Sequence, residues 1–245
     1  MNYVGSKSRI AKKILKIILK DRQPGQLYVE PFAGGMNVAE HVANPRLLND
    51  KNSHVSLMFK ALCDGTWTPP DFVSEEDYKL LSNKSSGNSH TKCYVGYSFS
   101  FGSKFFGGYR RSKLDDCTRQ PLSKINNERI LNRRARSRII SQRERLRGSR
   151  FASCDYRDLV IPSGSLVYCD APYRDSMGYS KDKFDSDAFW EWAAKLSSRC
   201  QVFVSEYSAP DGWKEVWFQP VTLMGKGERT RTERLFVYDQ DLRPV

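Results

Sequence analysis

The segment from Leu27 to Asp50 points to an α/β fold more firmly than any other part of the sequence. Residues 27–32 are typical of a short buried strand, which ends in the turn Ala33-Gly34-Gly35. A helical stretch at 37–42 follows, and a second short strand ends at Asp50. Strand, glycine turn, helix and strand in this order open a doubly wound sheet.

The same pattern returns after Arg150. Residues 165–169 are typical of a buried strand and 184–196 of an amphipathic helix, and further strands are expected at 201–205, 216–219 and 234–238. Residues between these two parts lack the pattern. We therefore predict a Rossmann-like α/β sheet built from residues 1–60 and 149–245, interrupted by an insertion at 61–148 that is mainly helical and carries a β-hairpin.

The positive charge of the chain indicates a polyanionic partner. The formal net charge is +12 at pH 7, and the pI is about 9.4. Each phosphate that Lys or Arg neutralises releases condensed counterions, whereas a solvated surface does not need such an excess. A basic protein with no nucleic-acid role is the alternative.

Two segments of the insertion fit this partner. Residues 97–111 alternate aromatic, glycine and basic residues, which predicts a hairpin that could enter a DNA groove. Residues 124–150 predict an arginine-rich helix. A core hairpin and a solvated helix face are the structural alternatives. The residues expected to contact DNA are Lys104, Tyr109, Arg110, Arg111, Arg133 and Arg134.

Other classes of protein are disfavoured. The six cysteines form no CxxC pair, which argues against a zinc site, and their scatter is typical of a reducing compartment. No apolar run is long enough to span a bilayer, and Lys16 interrupts the N-terminal apolar stretch. We expect no metal, no membrane partner and a cytoplasmic location.

The segment Asp170-Ala171-Pro172-Tyr173 carries the most specific chemistry. It directly follows a hydrophobic strand, so its carboxylate stands at the sheet edge where ligands gather. The exocyclic amine of a base is a poor nucleophile because its lone pair is delocalised into the ring. A carboxylate and a backbone carbonyl that accept hydrogen bonds from its two N–H groups would activate this amine. An aromatic ring could stack on the base. Taken alone, the segment also fits a strand that ends in a turn.

The turn at 30–35 and Asp50 add a second element. A glycine turn lets a ligand approach the backbone closely. Asp50 ends the next strand, where nucleoside-binding α/β folds place an acid on the ribose hydroxyls. The G-x-G-x-x-G spacing is absent, which disfavours a nicotinamide-dependent dehydrogenase.

Together these motifs resemble the Dam family of DNA adenine methyltransferases, the D12 class, in its phage or prophage type with the alpha order of motifs. The matches follow the family's order: Tyr3-Val4-Gly5-Ser6-Lys7, Glu30-Pro31-Phe32-Ala33-Gly34-Gly35, Asn49-Asp50, Cys154-Asp155-Tyr156 and Asp170-Ala171-Pro172-Tyr173, with Ser205-Glu206-Tyr207 as a weaker late match.

The resemblance implies an S-adenosylmethionine-dependent enzyme that methylates N6 of adenine at specific sites in double-stranded DNA. Transfer would be direct, with base flipping and without a metal, and 61–148 would recognise the target. The implied catalytic residues are Asp170, Ala171, Pro172 and Tyr173: the first two accept the amino group and the last stacks on the base. The implied cofactor-binding residues are Tyr3, Gly5, Lys7, Glu30, Phe32, Ala33, Gly34, Gly35, Asp50, Asp155, Tyr156 and Asp170.

One residue departs from the family's pattern, because Ala171 stands where proline is usual. Alanine keeps the main-chain carbonyl, and Pro172 still favours an extended backbone before it, so we expect reduced or unaltered activity. The alternatives are a homologue that binds DNA and cofactor without turnover, a nearly nonspecific adenine methyltransferase, and an enzyme acting on cytosine N4 or RNA. Asp170 favours adenine, since cytosine-N4 enzymes of this kind tend to have serine there. GATC is the family's commonest site, but the target sequence cannot be read from the chain.

Overall fold

The computed structural model describes residues 1–83, 89–111, 123–173, 184–223 and 229–239. Its helices are α1 (Ala11–Ile18), α2 (Ser53–Asp64), α3 (Glu75–Asn83), α4 (Ser89–Ser98), α5 (Lys124–Leu146) and α6 (Ser186–Ser197). Its strands are β1 (Tyr28–Glu30), β2 (Arg46–Asn49), β3 (Arg150–Ala152), β4 (Leu166–Cys169), β5 (Gln201–Glu206), β6 (Trp213–Leu223) and β7 (Arg229–Tyr238). None of these helices is long and apolar enough to cross a lipid bilayer.

The strands form one mixed sheet in the order β3-β2-β1-β4-β5-β7-β6. The first five are parallel, and β7 runs antiparallel to both of its neighbours. In doubly wound sheets, ligands gather at the carboxyl ends of the strands where the strand order reverses. Here that point lies between β1 and β4, where Val29 pairs with Val167. The predicted Rossmann-like α/β fold is confirmed.

Side chains alternate along the strands and so divide the core into two layers. Tyr28, Leu48 and Tyr168 pack on one side of the sheet, with residues of α1, α2 and α5. Val29 and Val167 pack on the other side, with residues of α6. Helices thus cover both faces, which explains why β1 and β4 are buried along their whole length.

Helices α2 to α5 lie between β2 and β3, where the sequence predicts the insertion. Helix α5 returns to the sheet: Gln142 Nε2 donates to the carbonyl of Gly35 at 2.8 Å, and Arg138 donates to Asn37 Oδ1 at 2.7 Å. The division into domains at residues 60 and 148 stays a prediction, and α2 extends across the first of these boundaries.

The segment at 97–111 was expected to form a β-hairpin. Instead of a two-stranded ladder, it has a single antiparallel bridge between Ser100 and Tyr109. The loop between them turns through residues with positive φ, a backbone region that cannot continue an extended ladder. These residues are Gly102, Ser103, Phe106 and Gly108. The alternation of aromatic residues and glycine here marks a compact loop.

The helix expected at 37–42 is a single 3-10 turn, Ala39–His41. The side chain of Arg46 donates to the carbonyls of Ala39 and Val42 at 2.8 and 2.6 Å, so it occupies acceptors that a longer helix would use. The short strand β3 was not predicted, since its three residues are exposed or half-buried and leave no apolar pattern.

Candidate active site

Asp170 directly follows β4 and lies against Lys7 from the N-terminal segment. The Lys7 ammonium is 3.0 Å from Asp170 Oδ1 and 3.5 Å from Glu233 Oε2 on β7. Lys7 is buried, whereas the Asp170 side chain keeps 22% of its surface exposed. The carboxylate is therefore enclosed by protein but still open on one side.

Tyr173 completes this cluster. Its hydroxyl donates to Glu233 Oε2 at 2.7 Å, and Lys7 lies 4.4 Å from the centre of its ring. The edge of the ring meets Tyr207, with 4.5 Å between ring centres and an interplanar angle of 88°. Three residues from two separate sequence motifs, Lys7 from one and Asp170 and Tyr173 from the other, are thus brought together. We call them, with Glu233, the Asp170 cluster.

Two carboxylates share one ammonium in this cluster, and this arrangement affects the pKa values of Asp170 and Lys7. Burial raises the pKa of Asp170; Lys7 opposes this effect and Glu233 adds to it. Burial alone would lower the pKa of Lys7, but Asp170 and Glu233 together raise it above its usual value. Lys7 is therefore held in its charged form beside the carboxylate expected to receive the substrate.

Glu233 was missed by the sequence analysis, although the strand pattern contains a signal for it. Side chains two residues apart in a strand face the same side. Leu235 is fully buried, so Glu233 faces the same buried side of the sheet. Only 8% of Glu233 is exposed. A carboxylate at such a position needs a polar partner, and Lys7 and Tyr173 provide it.

The glycine turn after β1 is fixed by Asp50. One carboxylate oxygen accepts the Gly34 N–H at 2.8 Å, and the other accepts the Asn52 N–H at 2.8 Å. Burial raises the pKa of Asp50, while these two N–H groups oppose the rise. Asp50 thus braces the turn from the end of β2, and its contact with a ribose stays a prediction.

Tyr3 covers the same turn and explains why its glycines have no side chain. A Cβ at Gly35 would lie 2.6 Å from the Tyr3 Cβ and 2.7 Å from Asn37 Nδ2. Gly34 has a φ of +46°, and a Cβ there would lie 2.9 Å from Cε1 of the Tyr3 ring. The ring of Tyr3 also packs on Tyr97 of α4, at 4.9 Å between centres. These glycines are required by protein packing, whatever ligand approaches them.

Asn49, the last residue of β2, joins the loops after β1 and β3 at the carboxyl edge of the sheet. Its Nδ2 donates to the carbonyls of Pro31 and Cys154 at 2.9 and 3.0 Å, and its Oδ1 accepts the Cys154 N–H at 3.0 Å. The side chain is completely buried. The sequence analysis named Asn49 only as the neighbour of Asp50, so this role was missed.

The loop after β3 places Asp155 and Tyr156 beside the glycine turn. Hydrogen bonds from Arg157, and one from Lys51, hold the pKa of Asp155 well below its usual range. The Tyr156 ring lies 5.1 Å from that of Phe32. Both rings also contact aromatic residues at or just before α6, among them Phe184 and Phe189. The edge of the sheet thus combines an acid with an aromatic wall.

Glu30 has a different environment from the other predicted cofactor residues. Only 3% of it is exposed, and one oxygen accepts the Tyr28 hydroxyl at 2.6 Å. Burial raises its pKa from 4.5 to about 8, although the hydrogen bond from Tyr28 opposes the rise. Around neutral pH the folded chain therefore keeps this carboxyl protonated.

This raised pKa predicts a pH dependence of stability. The fold holds the Glu30 proton more tightly than the unfolded chain does, so the contribution is complete below about pH 4.5 and is lost as pH rises to about 8. The unfolding free energy of the unaltered chain should fall by about 5 kcal/mol across this range, and Glu30→Gln should abolish this fall. Urea unfolding at several pH values measures it, with Glu215→Gln as an exposed control. Parallel curves for Glu30→Gln and the unaltered chain would contradict the assignment.

The predicted DNA-contact residues occupy varied positions. Lys104, Arg110 and Arg133 are exposed. Arg111 is exposed as well, but its guanidinium is bonded to Glu75 of α3. The ring of Tyr109 packs against Tyr78, and its hydroxyl is buried. Arg134 is exposed on α5. Contact of all six with DNA stays a prediction, and the packing of Tyr109 suits a structural role.

Across the part of the chain that the structure describes, no group of three or more His, Cys, Asp or Glu side chains could hold a metal ion. The candidate cofactor residues instead offer carboxylates, aromatic rings and backbone groups. Such groups fit a nucleoside that carries a sulfonium. Carboxylates can accept from ribose hydroxyls and attract the positive charge of the sulfonium, and aromatic rings can pack on the π face of adenine.

Comparison with known proteins identifies the family. The family model described as "D12 class N6 adenine-specific DNA methyltransferase" matches residues 3–211. No protein with a curated description is significantly similar in sequence. Among solved structures, an Escherichia coli protein named as a methyltransferase, yhhF, is similar with a TM-score of 0.42 and 9% identity, over 97% of this chain and 89% of that one. The family match includes every motif of the Asp170 cluster except Glu233, and the chain belongs to the D12 class of N6 adenine-specific DNA methyltransferases.

Proposed function

We propose that this enzyme uses S-adenosylmethionine to methylate N6 of an adenine flipped out of double-stranded DNA. The observation that carries the proposal is the Asp170 cluster: an enclosed carboxylate at the carboxyl end of β4, with Tyr173 beside it. The cluster lies at the sheet edge that also holds the glycine turn and Asp50. Family membership supports DNA adenine methylation, and the donor and base flipping are the further steps proposed.

In the proposed reaction, Asp170 and the Ala171 carbonyl accept hydrogen bonds from the two N–H groups of the adenine amino group. This draws the nitrogen lone pair out of conjugation and stabilises the positive charge that grows on nitrogen during attack. Bound S-adenosylmethionine supplies an electrophilic methyl group. Tyr173 holds the base by stacking, a contact that needs the base outside the duplex.

Lys7 competes with the amino group for Asp170, because its ammonium lies 3.0 Å from Oδ1. Glu233 weakens this competition, since it gives the Lys7 ammonium a second carboxylate at 3.5 Å. Glu233 also fixes the Tyr173 hydroxyl and so the plane of its ring. We therefore place Glu233 as a positioning residue that acts through Lys7 and Tyr173.

Glu233→Gln is expected to lower kcat by about tenfold, the equivalent of about 1.4 kcal/mol. Glutamine at 233 can still accept the hydrogen bond from Tyr173. Because it carries no negative charge, Lys7 binds Asp170 more strongly and competes better with the amino group. The pH dependence of kcat should also shift, which a purely structural role would not produce. Initial rates for this variant, for Tyr173→Phe and for Glu215→Gln as a matched control on β6 measure both effects. An unaltered kcat and pH profile would rule out the role.

Product analysis tests the proposed function directly. Unmethylated duplex DNA is incubated with the protein and labelled S-adenosylmethionine, digested to nucleosides and separated. Labelled N6-methyl-2′-deoxyadenosine is expected. Labelled N4-methyl-2′-deoxycytidine would reassign the acceptor, and no transfer to any base would support a homologue that has lost turnover. Sequencing of methylated positions in a random duplex pool then separates one dominant target from relaxed specificity.

A further inference from the structure

Helix α1 carries a continuous basic face outside the predicted recognition region. Lys12, Lys13 and Lys16 are exposed on it, and Lys20 continues the row just past its end. Their spacing of three and four residues puts them on one side of a helix. The first twenty residues contain no Asp or Glu. We call Lys12, Lys13 and Lys16 the α1 lysine face.

This face costs stability in the free protein. Like charges three or four residues apart on a helix repel each other and so destabilise the helix. The described part of the chain provides no ion pair or hydrogen bond to these three side chains, whereas Lys60 on α2 is paired with Asp64 at 2.6 Å. By contrast, α6 on the other side of the sheet exposes charges of both signs, Glu191 and Lys195. A repulsive row of this kind is relieved when an anion binds along it.

The lysine face starts at the active site. The carbonyl of Lys7 accepts the backbone N–H groups of Ile10 and Ala11 at 2.9 and 2.8 Å, so the helix grows directly from the residue that holds Asp170. The opposite face of α1 is fixed in the core through Ile14 and Ile18. At 1.5 Å per residue, Lys16 lies within about 15 Å of Lys7 along the chain.

The same face borders other cations. Burial lowers the pKa of His41, Glu40 opposes this, and Arg145, Lys12 and Arg138 lower it further. Lys12 is therefore close enough to the arginines of α5 to act on a shared neighbour. Arg138 and Arg145 of α5 are both ion-paired with Glu40, at 2.6 and 2.7 Å.

We propose that the α1 lysine face is a second phosphate-binding surface, which holds the DNA backbone beside the target base. This inference rests on the proposed function. Ion pairing with phosphates would neutralise the repulsive row, position the duplex relative to Asp170 and carry no sequence information.

The test is the salt dependence of duplex binding by the full chain. Lys12→Gln/Lys16→Gln is compared with Lys60→Gln/Lys195→Gln, which changes the net charge equally. Binding of a labelled duplex of about 30 base pairs is measured at several salt concentrations. The slope of log K against log salt should become shallower by about 1–2, since each phosphate contact contributes about 0.9. The control pair should keep the slope of the unaltered chain.

Thermal unfolding provides an independent readout, because removing the repulsion should leave Tm unchanged or raise it. An unaltered slope in Lys12→Gln/Lys16→Gln, in a chain that binds and methylates DNA, would overturn this inference alone. An equal loss of slope in the control pair would also overturn it. If the unaltered chain binds no duplex at any salt concentration, the proposed function fails as well.

Discussion

Asp170→Ala is expected to reduce methyl transfer by about 10²–10³-fold or more, the size of effect seen when a group aimed at developing charge is removed. The variant should fold, because Lys7 keeps Glu233 as a counter-charge at 3.5 Å when Asp170 is lost. It should also bind duplex DNA almost as well as the unaltered chain, since one enclosed carboxylate contributes nothing to phosphate contacts.

The measurement separates chemistry from binding. Single-turnover transfer gives the rate, fluorescence anisotropy gives DNA affinity, and calorimetric titration gives cofactor affinity. Asp170→Asn keeps the shape but not the charge and should be nearly as impaired, whereas Asp158→Ala, on the exposed loop after β3, should be active. If Asp170→Ala kept near-normal turnover, the active site would lie elsewhere.

Asn49→Leu is expected to cause the largest loss of stability among the predicted variants. Leucine fills a similar volume but leaves the buried Pro31 carbonyl and both part-buried backbone groups of Cys154 without their partner. Each such group costs about 1–3 kcal/mol, so the unfolding free energy should fall by about 3 kcal/mol or more. For a chain of this size that lowers Tm by roughly 6–12 °C.

The same substitution at Asn52 is the matched control, because that side chain makes one hydrogen bond, to Tyr97 at 3.2 Å. Asn52→Leu should cost about 1 kcal/mol. Cofactor affinity should also fall in Asn49→Leu alone, since the loops after β1 and β3 lose their link. Equal melting temperatures for the two variants would show that the three bonds contribute little.

The sequence predicted every described strand except β3, and one end of the site, because both depend on local patterns. Buried strands are apolar runs, and the carboxyl ends of parallel strands meet at one edge, so Asp50 and Asp170 were expected to lie together. Lys7 was expected nearby only through the resemblance. These expectations did not require knowledge of the loops.

The parts that were missed depend on contacts between distant residues. Nothing in the sequence says that Asn49 bonds the backbone of Cys154 or that Glu233 meets Lys7. Exposed basic residues were read as free for DNA, but Arg111 is paired with Glu75 of α3. Such partners become visible only when the helices between β2 and β3 have been placed.

The bonds from α5 to the glycine turn have a consequence for engineering. Gln142 and Arg138 reach Gly35 and Asn37 from one face of the helix, while Arg133 and Arg134 lie exposed on α5. The segment between β2 and β3 is therefore not an interchangeable cassette. A chimaera that imports this segment from a relative must keep donors at the positions of Gln142 and Arg138, or it loosens the glycine turn.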